Sequence, residues 1–389
     1  MTQHFSFAFE DSHETKSSAQ RPPRPKKIRY AVVGLGYISQ VAMLPAFAHA
    51  RKNSELVALV SDDQKKLSTL GKKYEIKRTY SYEQYEQCLN SGEIDAVYIA
   101  LPNSMHRDYA ERAAKASIHV LCEKPMAVTE KDCKAMIAAA ESANVKLMIA
   151  YRLHFEIGNL KAIEIVHSAK FGEIRIFNSV FTQQVKEGDI RLKAKLGGGP
   201  LYDIGIYCIN AARYLFKAEP DEVLSVSESN KDKRFKEVDE MSAVIMRFPG
   251  NRLAAFTCGF GAASEASYEV VGTKGVLKVG HAYEMVEPIT HELNVNEKST
   301  KKTYPKRDQF APELIYFSDC ILKNKTPEPS GIEGLADVRI IEALTESAKS
   351  GRWVKTPPIA EHKRPTLAQE IGKPAVREPE LVNAAAPGR

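Results

Sequence analysis

The start of this chain constrains its fold most, because a short apolar strand runs straight into a glycine-rich turn. The strand is predicted over residues 28–33, and the turn after it reads Gly34-Leu-Gly36-Tyr37-Ile38-Ser39. This is the G-x-G-x-x-G pattern with serine in the third place. The first glycine permits a tight turn, and the second lets the backbone approach a pyrophosphate at the N-terminus of the following helix. The pattern predicts a dinucleotide site that includes Gly34, Gly36, Tyr37 and Ile38.

The first half of the chain supplies the repeating β/α units that such a turn requires. Further apolar strands are predicted at residues 56–60, 94–100, 119–122 and 146–150, with helices at about 107–116 and 129–142. Strands that are apolar throughout and alternate with helices indicate a parallel sheet covered on both faces. We therefore predict an α/β Rossmann domain over residues 27–150. The polar residues 1–26 before it are either a disordered leader or an extended arm that docks on a neighbouring subunit.

The pattern changes after residue 150. A helix is predicted at about 158–169, and β-rich segments follow at 174–183, 222–228, 241–248, 252–260, 268–271 and 275–279. Helices near 312–323 and 332–350 are expected to close this half. We predict an α+β domain with an open, mostly antiparallel sheet over residues 151–355. A loose C-terminal tail is expected over 356–389.

Composition excludes several classes of function. Much of the net charge of +6 lies in the first thirty residues, and a basic arm is not a nucleic-acid-binding face. No apolar run approaches the roughly 20 residues of a membrane span, and the N-terminus lacks an export signal. We expect a cytoplasmic protein with no membrane or nucleic-acid partner. The scattered cysteines, without CxxC spacing, favour buried free thiols, and no metal site is predicted.

The second strand ends in polar residues that should face the adenosine ribose of a dinucleotide. Asp62 could accept hydrogen bonds from both ribose hydroxyls, which favours NAD. Ser61 and Lys66 could contact a 2′-phosphate, which favours NADP. A solvated charged loop is the other interpretation, and it suits Asp63 and Lys65 better than Ser61.

A lysine stands where the strand at 119–122 ends, in the sequence Glu123-Lys124-Pro125. Open α/β sheets bind their ligands at this edge, outside the carboxyl ends of the strands. Pro125 cannot continue the strand and fixes its own φ angle. Lys124 is therefore predicted to be held rigidly at the mouth of the sheet.

A second unusual stretch begins with three glycines, Gly197 to Gly199, and runs into an amphipathic helix. Asp203 and Tyr207 are four residues apart in it, so they share one helical face. Asp203 as a helix cap and Tyr207 as a half-buried core tyrosine are the alternatives.

These three motifs, in this order, resemble those of the Gfo/Idh/MocA oxidoreductases, and within them the glucose–fructose oxidoreductase branch. The resemblance covers about residues 27–355. It implies a Rossmann domain followed by an open-faced α+β domain whose sheet forms the subunit interface of a homodimer or homotetramer. It also implies a tightly bound nicotinamide cofactor and a carbohydrate in the cleft between the domains. With Ser61 and Lys66 it favours NADP(H), and Asp62 keeps NAD(H) as the alternative.

The resemblance also assigns roles by position. Lys124 corresponds to the catalytic lysine of the Glu-Lys-Pro motif, with Glu123 beside the cofactor, and Asp203 to the residue that orients the substrate. Tyr207 stands where most of the family has histidine and where this branch has tyrosine.

The remaining assignments line the expected cleft. Tyr151 and Arg152 resemble a Tyr-Arg pair of this branch, and Arg191 matches an arginine on the loop before the glycines; for Arg191, a solvated charge is the alternative. The loop that passes the nicotinamide end contains Leu101, Pro102, Asn103 and His106. For His106, a structural first-turn histidine is the alternative.

The residue types fit oxidation of a sugar at C1, giving the lactone. That reaction needs a hydride acceptor against C1–H and a base for the hydroxyl proton. We expect Tyr207, assisted by the ammonium of Lys124, to transfer that proton. If the cofactor stays bound, a second sugar would be reduced in a ping-pong cycle. Two alternatives are a dehydrogenase of another polyol or ring substrate and a catalytically silent cofactor-binding regulatory protein.

Overall fold

The computed structural model describes residues 27–360 and 362–388, so the predicted N-terminal arm lies outside the described residues. Its first layer is a six-stranded sheet in the order β3-β2-β1-β4-β5-β6, with every neighbouring pair parallel. The strands are β1 (Ile28–Val33), β2 (Ser54–Val60), β3 (Arg78–Tyr80), β4 (Ala96–Ile99), β5 (His119–Glu123) and β6 (Leu147–Ala150). This is the parallel Rossmann-type sheet that the apolar strands predict.

Helices connect these strands, and side-chain caps set where two of them begin. The helices are α1 (Leu44–Ala46), which continues a π-helical turn at Ser39–Met43, α2 (Gln64–Lys73), α3 (Tyr85–Leu89), α4 (His106–Lys115) and α5 (Glu130–Ser142). The Asp63 carboxylate accepts from the backbone N–H of Lys66 at 3.0 Å and caps α2. Thr129 caps α5 in the same way. Caps of this kind stabilise a helix by about 1 kcal/mol.

The second sheet has nine strands in the order β14-β13-β12-β11-β7-β10-β9-β8-β15. Only the β7–β10 pair is parallel within it. The strands are β7 (Ile174–Gln184), β8 (Glu222–Glu228), β9 (Met241–Phe248), β10 (Arg252–Gly259), β11 (Gly261–Gly272), β12 (Gly275–Gly280), β13 (Ile289–Val295), β14 (Lys298–Tyr304) and β15 (Val354–Lys355). The predicted fold class, a parallel sheet followed by a mostly antiparallel one, is confirmed.

One face of the nine-stranded sheet is covered and the other is open. The helices of this half are α6 (Ile157–Val166), α7 (Ile206–Phe216), α8 (Ala311–Leu322) and α9 (Gly331–Ser350). Helices α6, α7 and α9 pack on the covered face, where Val244, Met246 and Phe256 are buried. On the open face, Val226 and Leu253 are 58% and 48% exposed. Period-2 alternation along the strands produces these two unlike faces.

The structure corrects the predicted place of α8. The sequence suggests that it closes the second half, but it packs against the parallel sheet, where Leu314 and Phe317 are buried. The Tyr30 hydroxyl of β1 lies 2.8 Å from Ser318 Oγ, and Asn53 donates to Asp319 at 2.8 Å. The apolar stripe of α8 therefore completes the core of the first layer.

The segment after Lys355 also differs from the expectation of a loose tail. It has little regular secondary structure, but it is tied to the rest of the molecule along its length. The Arg307 guanidinium pairs with Glu370 at 2.9 Å, and Arg307 forms an isolated β-bridge with Pro374. Further along, Val382 exchanges two hydrogen bonds with the Gln40 side chain. These bonds to both halves of the molecule hold the tail in place.

Candidate active site

A cleft of about 630 Å³ opens at the carboxyl ends of β1, β4, β5 and β6, between the parallel sheet and the second sheet. It brings together almost all residues singled out from the sequence. Those in its wall are Gly34, Gly36, Tyr37, Ile38, Ser61, Lys66, Leu101, Pro102, Asn103, His106, Glu123, Lys124, Arg152, Arg191, Asp203 and Tyr207. Asp62 and Tyr151 are outside it. Ligands of open α/β sheets bind at this edge.

The glycine turn forms the floor of the cleft. Gly34 has a φ of +91°, and a Cβ at that position would lie 2.4 Å from the carbonyl oxygen of Ala100. Ser39 Oγ donates to the Gly34 carbonyl at 2.6 Å, so the serine closes the turn. At Gly36, a Cβ would meet no atom within 4 Å. The backbone there faces open space next to a helical N-terminus, which fits a pyrophosphate cradle.

At the ribose end of the cleft, the residues that favour NADP and the residue that favours NAD have different positions. Ser61, Lys66 and Tyr82 line the wall. Asp62 is exposed outside it, and its carboxylate accepts from the backbone N–H of Tyr82 at 2.7 Å. The loop after β3 thus engages one oxygen of Asp62, and the contact of Asp62 with the ribose stays a prediction. At this end of the cleft, Lys66 supplies a cation and Ser61 a hydroxyl that can face a ligand.

Lys124 projects from the end of β5 toward the second half of the molecule. Its Nζ donates to the Asp203 carbonyl oxygen at 2.8 Å and lies 3.6 Å from Asp203 Oδ1. It also lies 4.8 Å from the centroid of the Tyr207 ring. The Lys124–Pro125 peptide bond is cis. The lysine thus joins the two motifs that the sequence separates by about eighty residues.

Glu123 lies behind the lysine. The Tyr98 hydroxyl donates to its Oε1 at 2.5 Å, and the backbone N–H of Lys124 donates to Oε2 at 3.2 Å. Burial raises the pKa of Glu123, and the nearby charge of Lys124 opposes that effect. The carboxyl group therefore anchors the strand end at the wall of the cleft.

Asp203 is held between two cations. Arg191 Nε donates to its Oδ2 at 2.8 Å, Gln183 donates to the same oxygen at 3.1 Å, and Lys124 faces the other oxygen. Burial alone would raise the pKa of Asp203, but the charges of Arg191 and Lys124 outweigh it and lower the pKa. The group is therefore an ionised acceptor with a fixed orientation.

Tyr207 follows a π-helical turn at Leu201–Gly205 that leads into α7. Such turns are rare and are frequent at functional sites. Asp203 lies within this turn, so it is not the helix cap that the sequence allows. Phe181 packs edge-on against the Tyr207 ring, with centroids 5.6 Å apart. In the described part of the chain the Tyr207 hydroxyl has no hydrogen-bond partner, so it is available to a ligand in the cleft.

The loop after β4 is fixed by its own contacts. Asn103 donates to the Gly197 carbonyl at 2.8 Å. His106 is fully buried, with its ring nitrogens 2.9 Å from the carbonyls of Pro125 and Leu101. Burial lowers the pKa of His106. The imidazole therefore locks this loop against the Glu-Lys-Pro turn, which is the structural alternative noted from the sequence.

Two of the three glycines bring Arg191 and Asn103 to the cleft. A Cβ on Gly197 would lie 2.9 Å from Asn103 Cβ, and one on Gly198 would lie 2.3 Å from the Arg191 carbonyl oxygen. Side chains at these positions would push the arginine loop and the β4 loop apart. The glycines are therefore required for the close approach of two loops.

Arg152 and Tyr151 have different surroundings from each other. Arg152 lies in the wall, 5.2 Å from the Tyr207 ring centroid, with its guanidinium bound to Gln309 and to the Tyr283 carbonyl. Tyr151 is buried and donates to Asp337 Oδ2 at 2.6 Å. The prediction that Tyr151 contacts substrate disagrees with this structure, because its hydroxyl belongs to a buried network around Asp337.

Several cleft residues were not predicted from the sequence. Phe181, Gln183 and Tyr82 have no motif signal, and Ala386, Pro387 and Gly388 lie on the tail that was expected to be loose. Gln183 lies near the end of β7, at the last residue of the predicted β-rich segment 174–183, where the sequence carries no binding motif. The described residues contain no cluster of acidic, cysteine or histidine side chains arranged to hold a metal ion. None of the described helices combines the length and apolar character of a membrane span.

Two sequence models of known families match this chain. Residues 28–151 match "Oxidoreductase family, NAD-binding Rossmann fold", and residues 159–278 match "GFO/IDH/MocA C-terminal domain". Together they span more than half of the chain.

Individual relatives agree with these matches. The crystal structure of an aldose-aldose oxidoreductase from Caulobacter crescentus is 38% identical, with a TM-score of 0.81, covering 85% of this chain and 99% of that one. A 3-ketoreductase from Actinomadura kijaniata, solved with NADP and TDP-benzene, is 25% identical, with a TM-score of 0.76, covering 82% and 98%. A D-xylose 1-dehydrogenase [NADP(+)] from Haloarcula marismortui is 29% identical over 84% of this chain and 93% of its own length.

Proposed function

Because this chain belongs to the Gfo/Idh/MocA family of oxidoreductases, we propose that it transfers hydride between C1 of an aldose, giving the lactone, and a nicotinamide cofactor. The observation that carries this proposal is the meeting of Lys124, Asp203 and Tyr207 in the same cleft as the glycine turn. The names of two relatives, an aldose-aldose oxidoreductase and a xylose dehydrogenase, support an aldose as substrate.

The side chains divide the work of proton transfer and orientation. When bound, the nicotinamide accepts the hydride that leaves C1. The Tyr207 oxygen takes the proton of the C1 hydroxyl, so the sugar loses two electrons and two hydrogens in all. Lys124, 4.8 Å from the ring centroid, stabilises the negative charge on the oxygen that moves this proton. Asp203, kept ionised by Arg191 and Lys124, accepts hydrogen bonds from sugar hydroxyls and orients the ring. In the reverse direction Tyr207 returns the proton to a carbonyl oxygen.

We propose NADP(H) as the favoured cofactor, with NAD(H) as the alternative. Ser61 and Lys66 line the ribose end of the cleft while Asp62 does not, and this donor set suits a 2′-phosphate. Two of the relatives named above carry NADP in their descriptions. Titration of the protein with both dinucleotides tests this choice, and a clear preference for NAD would overturn it.

We further propose that the cofactor stays bound and that a second sugar is reduced in a ping-pong cycle. The name aldose-aldose oxidoreductase supports this version. Protein that passes through gel filtration with its cofactor and interconverts two sugars without added NADP would agree with it. Strict dependence on added cofactor would indicate an ordinary dehydrogenase instead.

The function as a whole is tested by denaturing the purified protein, identifying the released cofactor, and screening aldoses and ketoses with it. Lactone formation from an aldose is the expected result. Turnover only of a polyol or a non-sugar ring would support the alternative substrate class. A protein that binds the cofactor but turns over nothing would be a regulatory member of the family, contrary to its intact Lys124, Asp203 and Tyr207.

A further inference from the structure

The last described part of the chain, residues 375–388, crosses the mouth of the cleft, and we call it the C-terminal strap. Its first anchor is Gln40, whose side chain donates to the Val382 carbonyl and accepts from the Val382 N–H, both at 2.8 Å. Its second is Asp63, which accepts from Asn383 Nδ2 at 2.9 Å. Its third is Lys186, whose N–H donates to the Pro387 carbonyl at 3.0 Å. The strap therefore connects the first half of the molecule to the second.

These anchors lie next to the elements that form the dinucleotide site. Gln40 is in the first turn after the glycine motif and also donates to the Leu35 carbonyl at 2.9 Å. Asp63 caps α2 and lies 4.0 Å from Lys66 Nζ. Beyond Asn383, the strap residues Ala386, Pro387 and Gly388 line the same cleft as the glycine turn and Lys124.

The strap has the packing of a fixed wall. Leu381 and Val382 pack against the core that also contains Leu35 and Val41. At the other end, a Cβ on Gly388 would lie 2.6 Å from the Gln184 carbonyl oxygen, so only glycine fits this close to β7. The N–H and the carbonyl of Val382 both bond to the Gln40 side chain, in the way that two strand residues pair. The segment is thus fitted to the cleft at both ends.

We propose that the C-terminal strap is a wall of the dinucleotide site that retains a bound nicotinamide dinucleotide between turnovers. The proposal rests on the proposed function in one respect, namely that the ligand is a nicotinamide dinucleotide. The solved aldose-aldose oxidoreductase is matched over 99% of its length but only 85% of this chain, so this chain carries segments without counterpart there. A dinucleotide under the strap leaves the cleft after the contacts at Gln40, Asp63 or Lys186 have opened. Dissociation is therefore slower than from an open cleft.

Three variants test the strap without altering the residues assigned to chemistry. A truncation after Asn383 removes the part that lines the cleft, Gly388→Ala displaces its tip from Gln184, and Asn383→Ala removes the bond to Asp63. Glu380→Ala, on an exposed strap residue before the crossing, is the matched control. Each protein is loaded with NADPH and mixed with an excess of NADP⁺, which does not fluoresce. The loss of nicotinamide fluorescence from the protein then gives the dissociation rate of NADPH.

The truncated protein should release NADPH about tenfold faster or more, which corresponds to about 1.4 kcal/mol. Its melting temperature should match that of the full chain, because the bonds of Val382 and Asn383 remain. Gly388→Ala and Asn383→Ala should also release NADPH faster than the control. If the truncated chain does not fold, the dissociation rates of these two variants test the proposal. Dissociation rates equal to the control in all soluble variants would overturn the strap's role while leaving the sugar reaction untouched. Full-length protein that binds neither NADPH nor NADH would instead refute the proposed function and the strap's ligand together.

Discussion

At the scale of single residues, the site is an arrangement of two cations around one carboxylate, with a phenol beside them. Asp203 takes a charge-assisted bond from Arg191 at 2.8 Å and faces Lys124 at 3.6 Å. Because Arg191 bonds one carboxylate oxygen and Lys124 forms an ion pair with the other, Asp203 is suited to orienting the substrate rather than to transferring a proton. The Tyr207 hydroxyl is the group left for proton transfer.

Replacing Tyr207 by phenylalanine tests that role. We expect kcat to fall by about 10²–10⁴-fold, the usual range for loss of a general acid or base, with cofactor binding unchanged. Steady-state kinetics and a cofactor titration measure both quantities. Tyr202→Phe is the matched control, since Tyr202 lies in the π-helical turn just before Tyr207 but donates to the Val128 carbonyl outside the cleft. Near-normal turnover of Tyr207→Phe would refute the assignment.

The cofactor preference is tested at Lys66. Lys66→Ala removes the cation in the wall, and loss of a charge-assisted bond of about 1.5–3 kcal/mol should weaken NADP binding roughly ten- to hundredfold. NAD affinity should stay within twofold to threefold, because NAD carries no 2′-phosphate. Calorimetric titration of each dinucleotide measures both, with Lys65→Ala, an exposed neighbour, as the control. Equal losses for the two dinucleotides would contradict the assignment.

Glu313, at the start of α8, has both carboxylate oxygens buried, and neither has a hydrogen-bond partner among the described residues. Burial, and then the charge of Glu123, raise the pKa of Glu313 well above its ordinary value. The folded state therefore binds this proton more tightly than the unfolded state, and its contribution to stability is lost as pH rises above the unfolded-state pKa. The change is at most about 1.4 kcal/mol per pH unit.

Glu313→Gln should remove that dependence. The free energy of unfolding of the variant, relative to the unsubstituted protein, should rise between about pH 4.5 and neutral pH. Urea unfolding at a series of pH values measures it, with exposed Glu83→Gln as the control. A difference between the two proteins that is constant with pH would show that Glu313 does not hold its proton.

At the scale of elements, periodicity and capping predict most of what forms. The bounds of β1, β8 and β9 agree with the apolar or alternating runs, and the Gly-x-Gly turn follows β1 where expected. The apolar and alternating patterns do not predict strand β14, with the sequence KSTKKTY, because its side chains are polar on both faces. Such polar sequences are common in edge strands. The predicted position of helix α8 is wrong because an amphipathic pattern shows that one face of a helix is buried, but it does not show which element covers that face.

In a single chain, one face of the nine-stranded sheet is not covered by any described element. We propose that a second copy covers it, as the family resemblance implies, since Val226, Leu253 and Ile245 are exposed on it together. The double variant Val226→Asp with Leu253→Asp should shift the protein toward monomer in light scattering. Ala138→Asp, on an exposed position of α5, should not. An unchanged mass for the double variant would show that this face is not the interface.

At the scale of the whole molecule, the cleft exists because two sheets and a returning tail meet at one edge. The sequence identifies Lys124, Asp203 and Tyr207 as separate motifs, and family resemblance brings them together. Neither the sequence nor the resemblance reveals that Tyr151 bonds to Asp337, that Asp62 accepts from the Tyr82 backbone, or that the strap reaches Gln40. These outcomes depend on long-range packing, which local residue patterns do not encode.

A single-turnover experiment tests most directly whether hydride leaves C1 of an aldose, and a proton its C1 hydroxyl, in this cleft. Protein loaded with NADP⁺ is mixed with C1-deuterated and undeuterated aldose, and reduction of the bound nicotinamide is followed by absorbance together with lactone formation. We expect one equivalent of reduced nicotinamide and one of lactone per site, both formed more slowly with deuterium. In Tyr207→Phe we expect neither product, with the cofactor still bound. Absence of reduction with every aldose tested, or equal rates in Tyr207→Phe, would contradict this mechanism.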